Sequence, residues 1–231
     1  MPLRAGVKWV YKGKVEWTQG SKEKSALVTW TTAVVATFKG QGSLVTVVRD
    51  YPGRLAWYEP GQPHRYDILV SAGNRLYRYR AETLGADNQS AAVALAQGMA
   101  RGAVKTNESL DDLLFEFPLA IGKRWGGDPD RDDRMYCWTI DDAKSKTIHA
   151  SGIRAGRRYP VYTMAYRTNP DHEFIDFAPG IGIIHFIYGH HGTVAAADVR
   201  LVALKVPTPK HHMTRMPATR KHTPAQLHGG G

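Results

Sequence analysis

Two stretches of this chain concentrate side chains able to do chemistry. His185, His190 and His191, with Asp171, His172 and Glu173 nearby in sequence, offer imidazoles and carboxylates of the kind that bind Zn²⁺ or Cu²⁺. Adjacent histidines in a turn diverge, and His185 inside an apolar run reads as a core histidine. No metal site is therefore assigned. Asp128, Asp130 and Asp132 place carboxylates at positions 1, 3 and 5 of a possible Ca²⁺ loop. Position 6 is Asp133 rather than Gly and position 12 is Thr139 rather than Glu, so the EF-hand pattern fails and a solvated turn is expected. Cys137 is the sole cysteine, which excludes an intramolecular disulfide; between Tyr136 and Trp138 it reads as a small hydrophobe in a strand. The sequence contains no G-x-S-x-G, P-loop, Rossmann glycine fingerprint, H-E-x-x-H or C-x-x-C. No catalytic residue and no cofactor are assigned.

Charge gives a second, weaker indication. The formal net charge is +10, which favours polyanionic partners. Residues 207–231 supply Lys210, Arg215, Arg220 and Lys221 with no acid. Residues 1–26 supply six cations against Glu16 and Glu23. The excess thus sits at the two ends. Specific nucleic-acid binding is not expected, because on an N-terminal strand Lys8, Lys12 and Lys14 point away from Trp9, Tyr11 and Trp17.

The elements that must carry these residues are mostly strands. Residues 7–18 alternate apolar and charged, the mark of a sheet with one wet face. Residues 25–38 are apolar on both parities, so both faces should be covered. Further strands are predicted over 44–48, 66–71, 76–80, 134–140, 146–153, 159–167, 173–178, 181–188 and 193–206, the last two paired around Gly189–Gly192. An Ala-rich helix is predicted over 88–102 with Asp87 or Asn88 as cap, and a short one over 109–114 with Ser109 as cap. The fold class is β-dominated α+β: a large curved antiparallel sheet with short helices from about 87–117 packed on its concave face. Residues 1–206 form one domain; the Pro- and His-rich residues 207–231 form a basic tail too poor in apolar residues to order itself. No apolar run reaches the roughly 18–20 residues that span a bilayer.

Three short motifs carry a resemblance. Gly6 and Trp9 share the spacing of Gly122 and Trp125 in Pro118-Leu119-Ala120-Ile121-Gly122-Lys123-Arg124-Trp125, and Pro179-Gly180-Ile181-Gly182 follows. The set resembles bacterial envelope and lipoprotein-like domains of unassigned function with PLxxGxxW and PGxG motifs. It is distantly similar to the half-barrel of the Lol lipoprotein carriers. The resemblance implies a periplasmic or cell-envelope location and a half-barrel fold, and carries no carrier activity over. Met1–Arg4 lack a signal-peptide apolar region, so a mature envelope segment and a cytoplasmic protein both remain open. Small alanines on the covering helix should leave room for an apolar or acyl-chain ligand walled by Leu27, Trp30, Val34, Leu95, Met99 and Leu114. The function expected is therefore a non-enzymatic envelope protein that holds an apolar ligand or an acyl-bearing partner. Alternatives are a structural subunit docked through its basic tail onto an anionic assembly, and a metal-dependent enzyme using the His cluster.

Overall fold

The computed structural model describes residues 1–103, 109–192 and 194–208. The elements are β1 (Lys8–Gln19), β2 (Lys22–Lys39), β3 (Ser43–Arg49), β4 (Tyr66–Ala72), β5 (Arg75–Arg80), α1 (Gln89–Ala100), β6 (Leu113–Glu116) and β7 (Arg124–Trp125). They continue with β8 (Trp138–Thr147), β9 (Arg158–Arg167), β10 (Asp171–Ala178), β11 (Gly182–His190) and β12 (Ala196–Lys205). All twelve strands lie in one sheet, ordered β6-β5-β4-β3-β2-β1-β12-β11-β10-β9-β8-β7, with antiparallel neighbours throughout. The sheet curls until its edges nearly meet. The Trp125 indole Nε1 donates to Leu114 O at 3.2 Å, Lys123 Nζ to Glu116 O at 2.8 Å, and Gly127 N to Leu110 O at 3.2 Å. The result is a nearly closed half-barrel with one short α-helix.

Cross-strand pairs share a face, so the register separates inside from outside. Tyr11 pairs with Trp30, and Val34 with Val48; Val48 pairs with Asp67, and Asp67 with Arg80. These side chains look into the barrel. The opposite parity carries Lys8, Lys12 and Lys14 on β1, all exposed, and Val47 and Ile68 on β3 and β4, both buried. The outer face of β3 and β4 is dry because α1 lies over it, with Ala92, Ala96 and Met99 buried. The helix therefore packs on the convex side, not the concave one. Its N-cap is Asn88, whose side-chain oxygen accepts from Ala91 N at 3.0 Å.

Three expectations need correction. The helix expected over 109–114 is one 3₁₀ turn, Leu110–Asp112, that leads directly into β6; the apolar run Leu113–Phe115 is recruited as an edge strand of the barrel. Residues 134–137 are not extended: Arg134 and Tyr136 lie at φ 57° and 59°, which ends any ladder. Residues 148–153 form no strand of the barrel. They cross to the free end of β12, where Ser151 N donates to Val202 O at 2.9 Å and Leu204 N to Ser151 O at 2.8 Å. The tail from residue 209 onward lies outside the described residues.

The motif residues fasten the barrel. Trp9 Nε1 donates to Ile181 O at 2.7 Å, so the first Gly-x-x-Trp copy reaches the Pro179–Gly182 turn directly. Trp125, from the second copy, bonds across the β6–β7 seam. Gly182 has φ 113°, and a Cβ there would lie 3.1 Å from both Trp9 Nε1 and Met1 Cγ, so the turn needs glycine twice over. Gly6 N donates to Val34 O at 2.9 Å and Gly122 N to Ile140 O at 2.8 Å, while Gly180 shapes the same turn as Gly182.

Candidate functional site

The barrel has a short-turn end, with turns at 40–42, 73–74 and 179–181, and a loop end, with the longer connections 50–65, 81–112 and 126–137. Asp50 anchors the first of these loops. Its backbone oxygen accepts from Trp30 Nε1 at 2.8 Å and Thr32 Oγ1 at 2.6 Å, and its carboxylate meets Arg65 N at 3.1 Å and His64 Nδ1 at 2.6 Å. The held loop folds a 3₁₀ turn, Pro52–Leu55, inward against β11, burying Leu55 and presenting Trp57.

Beneath that loop the interior is charged. Trp125, Trp138, Tyr166, Glu173 and Tyr188 pair in succession across β7 to β11 and form one inward-facing row. Arg78 and Arg80 of β5 face this row, with the Arg78 guanidinium 4.7 Å from the Tyr51 ring centre. A cavity of about 260 Å³ is lined by Trp57, Arg78, Arg80, Trp138, Tyr166, Thr168, Asp171, Glu173 and Tyr188, along with Gly53 and Ala56. A second, of about 280 Å³, shares Arg78, Arg80 and Trp138 and reaches Leu114.

The two carboxylates on β10 sit in different environments. Glu173 Oε1 is buried and has no hydrogen-bond partner among the described residues. Burial raises its pKa, and Arg78 and Arg80 offset only part of that. For Asp171, burial is outweighed by hydrogen bonds from Tyr188 Oη and His190 Nδ1, each 2.6 Å to Oδ1, and its pKa is lowered. The Trp57 ring packs against His190 at 5.1 Å between centres, tilted by 60°, at the rim. One layer deeper, Arg54 binds Asp67 Oδ2 at 2.9 Å and also bonds to Glu82. Burial raises the Asp67 pKa, with Arg78 and Arg54 opposing it.

The residues expected to wall an apolar pocket do not converge. Leu27 is 88% exposed on the outer face. Trp30 and Val34 look inward, while Leu95 and Met99 belong to the helix outside, so the sheet itself divides them. Leu114 borders the second interior cavity at the seam. The alanines do not leave room either; Ala92 and Ala96 are fully buried against the sheet. The pleat likewise splits the histidines. His190 joins Asp171, His172 meets His191 edge-on at 4.8 Å, and His185 lies on the outer face, 2.7 Å from Asp198. Among the described residues no group of three or more His, Cys, Asp or Glu could hold a metal ion. In the acidic loop, Arg131 and Met135 N satisfy Asp133 and hold its carboxyl at about 2. Burial raises the Cys137 thiol pKa, the reverse of activation.

Sequence reasoning missed Arg78 and Arg80 because Leu-Tyr-Arg-Tyr-Arg alternates, and alternation does not say which parity faces inward.

No family model matches the chain, and the curated proteins contain no match. Among solved structures it is similar to a presumed exported protein with a YmcC-like fold from Bacteroides fragilis. That chain is 12% identical, the alignment covers 89% of this chain and 98% of that one, and the TM-score is 0.42. It is also similar to a presumed lipoprotein from Parabacteroides distasonis, at 12% identity, 89% and 97% coverage and a TM-score of 0.41.

Proposed function

We propose that this chain is a ligand-holding domain of the cell envelope whose site is the loop-end cavity. Its occupant is a small zwitterion or the zwitterionic head of an acyl-bearing molecule. The observation that carries this reading is the Glu173 Oε1 atom, buried at the cavity with no hydrogen-bond partner among the described residues. An orphaned buried carboxylate oxygen costs roughly 1–3 kcal/mol or more, and a donor from a ligand would recover it. Glu173 and Asp171 present negative charge from β10, and Trp138, Tyr166 and Tyr188 add aromatic surface that favours an ammonium group. Arg78 and Arg80 on the opposing wall suit an anionic group. The cavity lies below the ~300 Å³ typical of drug-sized sites, so the bound group is small. An acyl tail fits this polar wall poorly; a polar head fits it.

Calorimetry with phosphoethanolamine, ethanolamine and inorganic phosphate tests the reading. The zwitterion should bind more tightly than either half, and Glu173→Gln should weaken it by roughly tenfold or more. Absence of saturable binding, or binding indifferent to Glu173→Gln and Arg80→Ala, would overturn it.

A further inference from the structure

A different surface points to a second interaction. On the outer face of β1 and β12, Lys8 lies directly opposite Lys205, and Lys12 directly opposite Arg200. All four are exposed, and none has an ion-pair partner among the described residues. The two nearby acids are engaged: Glu16 with Lys14, and Asp198 with His185. Like charges placed directly across a ladder are destabilising. Here two such pairs stand along one stripe, about 13 Å apart by the strand rise. The stripe ends at Lys14, which is ion-paired with Glu16 and lies opposite Asp198; its cross-strand neighbour on β2 is Leu27, 88% exposed. A large apolar side chain in open solvent beside a row of cations is what a charged, partly apolar interface accommodates.

We infer that this outer face docks onto an anionic lipid surface, with the cations at the headgroups and Leu27 inserted among them. The stripe's charge is complementary to anionic headgroups, each nearby cation adding to the attraction. Leu27 decides between this partner and a dissolved polyanion, since only a bilayer offers the leucine an apolar phase. Among the described residues no helix is long and apolar enough to cross a membrane, and docking of this kind needs none. The stripe is also independent of the interior cavity, which opens on the other face of the same sheet.

The test is co-sedimentation of the full chain with phosphatidylcholine vesicles, with and without phosphatidylglycerol, at low and high salt. Binding should require phosphatidylglycerol and fade with salt. The combined variant Lys8→Gln, Lys12→Gln, Arg200→Gln, Lys205→Gln should lose binding by on the order of several hundredfold, roughly fivefold per charge. Its melting temperature, followed in parallel, should hold or rise as the like-charge pairs disappear. Leu27→Ser should weaken vesicle binding several-fold and leave retention on heparin unchanged. No binding to anionic vesicles would overturn the inference. So would binding untouched by the four-fold variant, which would assign it to cations outside the stripe. An equal effect of Leu27→Ser on heparin and vesicles, or none on either, would overturn the lipid assignment in favour of a dissolved polyanion.

Discussion

The two ends of the barrel interior are built on opposite principles. At the short-turn end the large side chains Trp9, Tyr11, Phe115 and Phe177 are almost wholly buried, and their polar atoms are matched. Trp9 and Tyr11 donate to Ile181 O and Ile183 O at 2.7 and 3.0 Å, and the rings of Phe115 and Phe177 sit 4.7 Å apart. At the loop end Arg54, Asp67, Arg78 and Glu173 bring charge into the same enclosure, and one carboxylate oxygen is left without a partner. The first end satisfies the rules of a packed core. The second departs from them at several buried polar atoms, Tyr51 Oη and Glu173 Oε1 among them, and the Glu173 departure coincides with the cavity.

The sharpest way to break this contrast is at the packed end. Trp9→Ala should destabilise by about 3–5 kcal/mol, read as a shifted urea midpoint, because it empties a core position and orphans the Ile181 carbonyl. Arg54→Ala should come next, at about 3 kcal/mol, by removing the guanidinium bonded to the deeply buried Asp67 and leaving Arg78, 4.0 Å away, to offset its charge. Part of that loss should return in Arg54→Ala, Asp67→Asn, since the partly uncompensated charge is gone. Glu173→Gln should do the opposite. The folded state raises this carboxyl's pKa, so it binds its proton more tightly than the unfolded chain does. Its ionisation therefore costs stability as pH rises from the unfolded pKa through the folded one. The variant should be more stable than the natural chain at neutral pH, with the gain vanishing in acid below the unfolded carboxyl's pKa. An equal gain at both pH values would show that ionisation is not the cause.

The smallest effect belongs to Tyr188→Phe. It removes one of the two hydrogen bonds that lower the pKa of Asp171, worth about 1 kcal/mol. Asp171 contributes stability above its unfolded pKa and loses it as pH falls through the folded pKa, so the variant's deficit should shrink in acid. A thermal-melt series from neutral to acid reads this directly.

Much of the sheet was legible in the sequence, because alternation in residues 7–18 and the Gly-containing turns fix strands locally. The Asn88 cap was legible for the same reason: capping is decided within four residues. What was hidden depends on distant strands. Leu113–Phe115 has a helix-compatible composition and becomes strand only because β5 offers it an edge. The inward Arg78 and Arg80 alternate with Tyr77 and Tyr79, and alternation alone does not fix which parity faces inward. The candidate site is almost wholly of this second kind: its walls come from β5, β8, β9, β10 and β11, brought together by curvature rather than by proximity in sequence.

The ring order has a consequence for how the chain can assemble. Every ladder except β1–β12 joins strands that are consecutive in sequence, so residues 8–116 and 124–205 are two six-strand meanders that can each zip from local hairpins. Only Lys8 meeting Lys205, and its neighbours in that ladder, must close a loop nearly as long as the protein. Loop-closure entropy grows with the logarithm of length, and non-local pairing slows folding, so this junction is the costly step. A circular permutant that joins the end of β12 to the start of β1 and opens the chain between Pro118 and Gly122 would convert that distant pairing into one more hairpin. Every ladder would then be local, and the permuted chain should fold faster than the natural order.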